Sequence, residues 1–369
     1  MKTKIIGLIF FLGFNFLFSQ QNDLLYLEGK IGKYPVSMNL FLSSDENGIT
    51  TYTGNYYYHS QEIPIAIFQK ENNSNQLTLY NGGDEDSAEI FDGILENGTY
   101  KGVWKQGKKS FQFKLKDSSK KNSIELVHLK NSREVPVYTL NDNDKISGTY
   151  LFDWILPKDE NLQRYLVENL YLFFSDFEEK YSDFTTFTTR VLDDFESEYT
   201  EEINSYLKEF EGEDEENYNP YSWNYSYDSF FYPYINTARY LVISYYGYQY
   251  TGGAHGISYQ KFATFDKKKN TWLNLSDVLN LENEEEITQV LDKKIRKEYQ
   301  IPIDMNLNEP ENSIFISAEI FLSHNFTLSK KGITFHYGLY DMTPYVYGFF
   351  DLFVPYEDLK PYLNKQFSY

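Results

Sequence analysis

The segment Thr251-Gly252-Gly253-Ala254-His255-Gly256 sets one imidazole among three glycines, between two tyrosine-rich runs that alternate like strands. Imidazole titrates near neutrality and can serve as acid, base or metal ligand. Glycine lets the backbone take positive φ and approach a partner closely. A second segment, Tyr337-Gly338-Leu339-Tyr340-Asp341-Met342-Thr343-Pro344-Tyr345-Val346-Tyr347-Gly348, carries four tyrosines and one carboxylate on a connection between strands. Tyrosine rings offer an apolar face and a polar tip, which suits recognition. The candidate binding residues are therefore Tyr250, Gly252, Gly253, His255, Tyr340, Asp341 and Tyr345. Each segment also has a plain structural reading. The first is then a hairpin whose histidine bonds a backbone carbonyl, and the second a long connection packed by its aromatics.

Catalytic patterns of standard form are absent from the sequence. There is no Gly-x-Ser-x-Gly elbow, no His-Glu-x-x-His, no phosphate-binding Gly-x-x-x-x-Gly-Lys completed by Ser or Thr and no Gly-x-Gly-x-x-Gly. His59, His128, His255, His324 and His336 are scattered, with no i, i+4 pair to start a zinc site. The acidic run Glu211-Gly212-Glu213-Asp214-Glu215-Glu216 lacks the alternate ligand positions of a calcium loop and reads as a solvated face. Asp341 has no identifiable carboxylate partner for glycoside hydrolysis. We expect no catalytic residue, no metal and no cofactor.

These residues need a scaffold. The 369-residue chain is long enough for two or three domains. Lys2 and Lys4, the apolar run Ile5 to Phe18 and the small Ser19 read as a signal peptide over 1–19. No cysteine follows that run, which excludes lipid attachment through an N-terminal cysteine, and no later stretch is long enough to span a membrane. The expectation is an exported protein, periplasmic or secreted, with no transmembrane segment after cleavage. With no cysteine at all, stability must come from packing, for which 35 Tyr and 30 Phe supply large buried areas. A net charge of −20 argues against nucleic acid and favours encounter with a cationic partner. It also serves solubility.

Residues 22–118 read as an all-β module. Val36, Met38, Leu40 and Leu42 alternate with Ser37, Asn39, Phe41 and Ser43, and Ile63, Ile65, Ile67 and Phe111, Phe113, Leu115 repeat the period-2 pattern, with turn signals at Glu46-Asn47-Gly48, Asn81-Gly82-Gly83 and Glu96-Asn97-Gly98. Seven or eight short antiparallel strands in an up-and-down sheet or small barrel follow from this spacing. Lys116 to Asn122 reads as a linker. In 124–235, Ile124 to Val137 supplies one or two strands, and two helical stripes follow, Leu162 to Phe177 and Leu192 to Phe210. The threonines at 185–189 are poor helix formers, so the helices are broken there. The aromatic patch Tyr218 to Tyr234 is either sheet core or a sugar-stacking platform, and strand propensity favours the former. Residues 237–369 read as strands Tyr240 to Tyr250 and Ile257 to Phe265, a helix opened by Ser276 or Asp277, a helix from Glu284 to Tyr299, further strands, and a closing helix from Tyr356 to Tyr362. The fold class is α+β: an N-terminal all-β antiparallel sheet or small barrel, then an α/β body of two units with antiparallel sheets and packed helices.

Tyr250-Thr251-Gly252-Gly253-Ala254-His255-Gly256, Leu275-Ser276-Asp277-Val278-Leu279, Gly332-Ile333-Thr334-Phe335, Tyr345-x-x-Gly348 and Val354-Pro355-Tyr356-x-x-Leu359-x-x-Tyr362-Leu363 resemble the RsiV-like C-terminal domain family. Residues 124–235 resemble the domain that usually precedes it, as in PdaC-type deacetylases. The resemblance covers about residues 124–364. It implies an envelope recognition module outside the cytoplasmic membrane, since some members are anti-sigma ectodomains that bind lysozyme and others accompany a peptidoglycan deacetylase domain. The transmembrane and cytoplasmic parts of an anti-sigma factor and an appended catalytic domain find no counterpart here, and residues 22–118 are not explained by the resemblance. The expectation is non-catalytic binding of a cell-wall-related ligand, a lysozyme-like cationic protein or a peptidoglycan glycan. An enzyme acting on wall polymer through His255 and a carboxylate, or a structural envelope protein, are the alternatives.

Overall fold

The computed structural model describes residues 24–44, 50–73, 76–82, 88–118, 124–139, 145–170, 181–210 and 219–368. The signal-peptide reading, the acidic run at 211–216 and the turn at 46–48 lie outside the described residues.

The N-terminal strands close into a barrel. β1 (Leu24–Ile31), β2 (Tyr34–Ser44), β3 (Thr50–Tyr58), β4 (Ile65–Asn73), β5 (Gln76–Tyr80), β6 (Ile90–Glu96), β7 (Thr99–Gln106) and β8 (Lys109–Asp117) follow one another in order, and β8 pairs back onto β1. Closure leaves no open sheet edge. The period-2 pattern dictates the interior: Val36, Met38, Leu40, Phe91, Tyr100, Phe113 and Leu115 are buried together, so the barrel is packed rather than hollow. Asn97 and Gly98 sit at φ 49° and 67° between the paired Glu96 and Thr99, the tight turn that Asn-Gly specifies. Lys116 and Asp117 complete β8 instead of starting the linker, because the ladder continues to the Asp117–Leu27 pair.

The body begins with β9 (Leu126–Thr139) and β10 (Lys145–Pro157). α1 (Glu160–Glu168) is capped by Asp159, whose carboxylate accepts from the amides of Asn161 and Leu162. α2 runs unbroken over Phe184–Glu209. The threonines at 185–189 are therefore helical, contrary to their propensity. They fall at the N-terminus, where Asp183 accepts from the Thr186 amide at 2.7 Å, and Phe187 and Val191 bury the same stretch. Packing and a cap outweigh a few tenths of a kcal/mol per residue. The stripe Leu192, Phe195, Tyr199 and Ile203 lies in the core, with Phe195 and Tyr199 over Gly148, where a Cβ would come within 2.8 Å of the Phe195 ring.

β11 (Ser226–Asn236), β12 (Tyr240–Tyr250), β13 (Ile257–Asp266) and β14 (Thr271–Leu273) join β10 and β9 in a six-stranded sheet ordered β14-β13-β12-β11-β10-β9. β10 and β11 run parallel, so this sheet is mixed rather than wholly antiparallel. The helical segment between them supplies the crossover that parallel pairing requires. α1 and α2 pack on one face through Phe152, Trp154, Leu166, Phe187, Phe231 and Ile243. Of the aromatic patch, Trp223, Tyr225 and Phe231 are buried in the core, while Tyr221 is exposed.

The last unit holds α3 (Glu284–Tyr299), β15 (Phe326–Leu328), β16 (Gly332–Tyr337), β17 (Phe350–Pro355) and α4 (Tyr356–Leu359). Ile287, Leu291 and Ile295 of α3 pack with Leu328, Phe335, Leu352 and Val354 of the three-stranded sheet. Only a 3-10 turn, Leu275–Asp277, forms where a helix opened by Ser276 or Asp277 is expected. The other face of this sheet meets the six-stranded sheet: the His336 ring packs against Phe262 with centroids 4.1 Å apart, and the Phe262 amide donates to Asn325 Oδ1 at 2.9 Å. The barrel docks on the body through Lys330 Nζ, 2.8 Å from Glu62 Oε1, and through the Tyr57 hydroxyl, which donates to the Asn236 carbonyl at 3.2 Å.

Candidate functional site

The two segments singled out in the sequence meet. The β12–β13 ladder ends at the Gln249–Ile257 pair and projects residues 251–256 beyond the sheet. Gly252 and Gly253 take φ 91° and 87°, which side chains resist. Tyr250 donates its hydroxyl to the Gly253 carbonyl at 3.1 Å and so braces the loop from beneath. At the far end, a Cβ on Gly256 would lie 2.5 Å from the Tyr248 ring.

The second loop leaves β16 after Tyr337. Asp341 accepts from the Gly338 amide at 2.6 Å, and Tyr340 adopts φ 66° in that turn. Met342 and Thr343 are buried and tie the loop to the core beside α3. A 3-10 turn over Tyr345–Tyr347 follows, ended by Gly348 at φ 71°.

Between the loops, the Tyr345 ring stacks on the His255 imidazole with centroids 4.2 Å apart and planes 27° apart. Its hydroxyl donates to the Gly256 carbonyl at 3.1 Å. Tyr345 also meets the Tyr340 ring, with centroids 5.9 Å apart. His255, Tyr345 and Tyr340 thus form a row of three rings. The row is flanked by exposed apolar groups of the same loop: Val346 is 84% and Tyr347 56% exposed. Neither is among the candidate residues read from sequence, since nothing in one chain's residue types says which ring of an aromatic loop faces outward.

The site residues divide by role. Tyr250, Gly252, Gly253 and Asp341 shape the loops. His255, Tyr340 and Tyr345 form the surface. His255 Nδ1 lies 2.9 Å from the Gly256 carbonyl, an acceptor, so Nδ1 carries a proton and donates. Among the described residues no carboxylate bonds this ring. No group of three or more His, Cys, Asp or Glu side chains able to hold a metal occurs among the described residues.

One constellation was invisible before the register was known. His336 Nδ1 lies 2.7 Å from Asp351 Oδ1 and its Nε2 lies 3.0 Å from Thr327 Oγ1, across three adjacent strands. The arrangement has the order of a charge relay, but Thr327 and His336 are 3% exposed. With Phe262 stacked on the imidazole, no reacting group can reach the hydroxyl. Thr327 and Asp351 fix the His336 ring within the three-stranded sheet, and that ring packs on Phe262 of the six-stranded sheet. His336 and Asp351 are directly paired in the β16–β17 ladder, a relation that strand assignment alone does not give.

Residues 158–258 match the family model described as Deacetylase PdaC, and residues 276–357 match that described as Protein of unknown function (DUF3298). The chain thus carries a PdaC-type region followed by a DUF3298 region, consistent with the RsiV-like arrangement expected from its motifs. A crystal structure of a DUF3298 family member from Bacteroides fragilis is similar over 65% of this chain and 94% of that one, at 22% identity and a TM-score of 0.48. Another DUF3298 family protein, from Pseudomonas aeruginosa, is similar over 66% of this chain and 95% of that one, at 16% identity and a TM-score of 0.47. No curated protein matches the chain. The barrel lies outside both family-model matches. His255 belongs to the first matched region and Tyr340 and Tyr345 to the second, so the ring row joins the two. Among the described residues no helix is long and apolar enough to cross a membrane.

Proposed function

We propose that this protein is an exported, non-catalytic, cell-envelope binding protein, and that the row His255–Tyr345–Tyr340 with Val346 and Tyr347 is the face that holds a lysozyme-like cationic protein. The observation that carries the reading is the contact of the two loops. Stacking and the Tyr345–Gly256 hydrogen bond hold an exposed aromatic surface in one arrangement before any ligand arrives. Preorganisation of this kind lowers the entropy cost of binding, and aromatic side chains dominate the energetics of protein interfaces. The net charge of −20 supports a basic partner by steering encounter. Export is supported by the signal-like start, and an envelope setting by the family resemblance.

Catalysis on wall polymer is the weaker reading, because a general base needs a proton partner and an orienting group, and His255 bonds only a backbone carbonyl. A peptidoglycan glycan is the second binding reading, favoured by the row of rings on which sugars can stack. Titration with a basic lysozyme, and separately with soluble peptidoglycan fragments, distinguishes them. Saturable binding of the lysozyme that weakens with salt supports the first. Binding of the fragments alone supports the second.

A further inference from the structure

The β7–β8 hairpin from Thr99 to Lys116 holds six lysines, Lys101, Lys105, Lys108, Lys109, Lys114 and Lys116, and no carboxylate, in a chain whose net charge is −20. Closure of the barrel sets β1 beside β8 and brings Lys30 and Lys33 to the same side. The register then aligns the charges. Lys101 of β7 is paired with Lys114 of β8, and Lys114 with Lys30 of β1, so three lysines lie side by side across three strands. Their neighbours Tyr100, Leu115 and Ile31 fill the barrel interior, which turns the lysines outward, and all three are exposed.

Like charges directly opposite on one sheet face repel. No carboxylate relieves these: the lysine ion pairs among the described residues belong to Lys130, Lys158, Lys294 and Lys330. Solubility does not call for such a row, since a net charge of −20 already supplies it.

The row leads to an aromatic end of the barrel. There the β1–β2 and β7–β8 turns lie together, and the Gly32 amide donates to the Gln112 carbonyl at 2.8 Å. The Tyr34 and Phe111 rings meet with centroids 6.4 Å apart, and Phe111 stacks on Trp104. Tyr34 and Phe111 are nevertheless 45% and 39% exposed. Lys33, Lys108 and Lys109 belong to the same end, with Lys33 Nζ 5.4 Å from the Tyr34 ring centroid. Exposed rings among unpaired lysines suit a lipid headgroup layer, where rings reach the acyl boundary and ammonium groups stay with phosphates. A soluble polyanion would engage the lysines and leave the rings in water.

We propose that this corner of the barrel adsorbs to a membrane surface rich in anionic lipids. Lys30, Lys101 and Lys114 meet lipid phosphates, and Tyr34 and Phe111 enter the headgroup boundary. Such a surface repels the acidic remainder of the chain, so the charge distribution also orients the molecule with this corner toward the lipid. The surface is separate from the ring row and does not depend on the function proposed there.

The test is co-sedimentation of the full chain with two kinds of vesicle, at low and moderate salt. One is phosphatidylcholine alone, and the other equal parts phosphatidylcholine and phosphatidylglycerol. The variants are Lys101→Gln with Lys114→Gln, Phe111→Ala, and a control pair on α3, Lys293→Gln with Lys297→Gln. Each is checked for native circular dichroism, and Tyr34→Ala replaces Phe111→Ala should that variant fail to fold. The expected result is adsorption to the anionic vesicles that weakens with salt, and little to the neutral ones. At about fivefold per lysine, the barrel pair should bind at least about tenfold more weakly, while the α3 pair binds like wild type. Phe111→Ala should also bind more weakly, although it removes no charge. No adsorption to anionic vesicles, equal adsorption to neutral ones, or an equal loss in the α3 pair overturns the proposal. Full adsorption by the folded ring variant overturns it too, since the surface would then be a site for free polyanions.

Discussion

Tyr345 and His255 are 90 residues apart in sequence, yet their rings stack at 4.2 Å, and the Tyr345 hydroxyl reaches the carbonyl of the residue after His255. One side chain thereby joins the β12–β13 loop to the loop after β16. The joint sits on the rigid ends of two packed sheets, so its geometry is set by the fold and not by the loops alone.

The joint makes a dynamic prediction. Tyr345→Phe keeps the stack and removes the hydrogen bond, while Tyr345→Ala removes both. Amide exchange at Gly252 to Gly256 should quicken modestly in the first and by more in the second. Since Tyr345 is half-exposed, global stability should change by only about 1 kcal/mol. Unchanged exchange in Tyr345→Ala would show that the loops are ordered independently.

The two glycines at positive φ are not equivalent. An alanine Cβ at Gly252 would lie 3.1 Å from the Ser222 carbonyl oxygen, whereas at Gly253 it would meet open space. Both substitutions carry the left-handed penalty of about 1–2 kcal/mol. Gly252→Ala should therefore destabilise more than Gly253→Ala in urea titration. Equal losses would mean that the loop does not rest on Ser222.

Asp183 caps α2 and bonds Ser182 and Thr186, with Ser182 the larger influence; these bonds hold its carboxyl below the ordinary 3.8. A depressed folded pKa contributes stability above the unfolded value and loses it as pH falls through the folded one. Asp183→Ala should thus cost about 1 kcal/mol at neutral pH. The gap between wild type and variant should close as the pH drops below about 4. A gap that persists in acid would contradict the capping role.

His336 should matter more to stability than Asp351. His336→Ala empties a buried ring position against Phe262 and strands the Thr327 hydroxyl, a loss of about 2–4 kcal/mol. Asp351 is half-exposed, so Asp351→Asn should cost under about 1 kcal/mol. Chemical denaturation of the two variants checks the order. A larger loss in Asp351→Asn would mean that the hydrogen bond to Asp351, not the buried packing against Phe262, fixes the His336 ring.

Much of this architecture is written in short-range pattern. The barrel is legible because Val36, Met38 and Leu40 alternate and Asn97-Gly98 turns, both properties of adjacent residues. α3 is legible because Ile287, Leu291 and Ile295 recur at helical spacing. What is not legible is long-range. α2 defies the propensity of its threonines because tertiary packing and Asp183 decide there. β10 pairs in parallel with β11 across more than 60 residues, which no local period encodes. The two site loops are visible as loops. Their contact, the outward faces of Val346 and Tyr347, and the His336–Asp351 pair depend on register between strands distant in sequence.

The ring row is proposed as the binding surface for a basic protein. Isothermal titration of the chain with a basic lysozyme, at low and moderate salt, with Tyr345→Ala alongside wild type, tests it most directly. The expected result is saturable binding to wild type that weakens as salt screens the charge, and an affinity at least about tenfold lower in Tyr345→Ala. No binding at either salt, or equal binding by the folded variant, would contradict it.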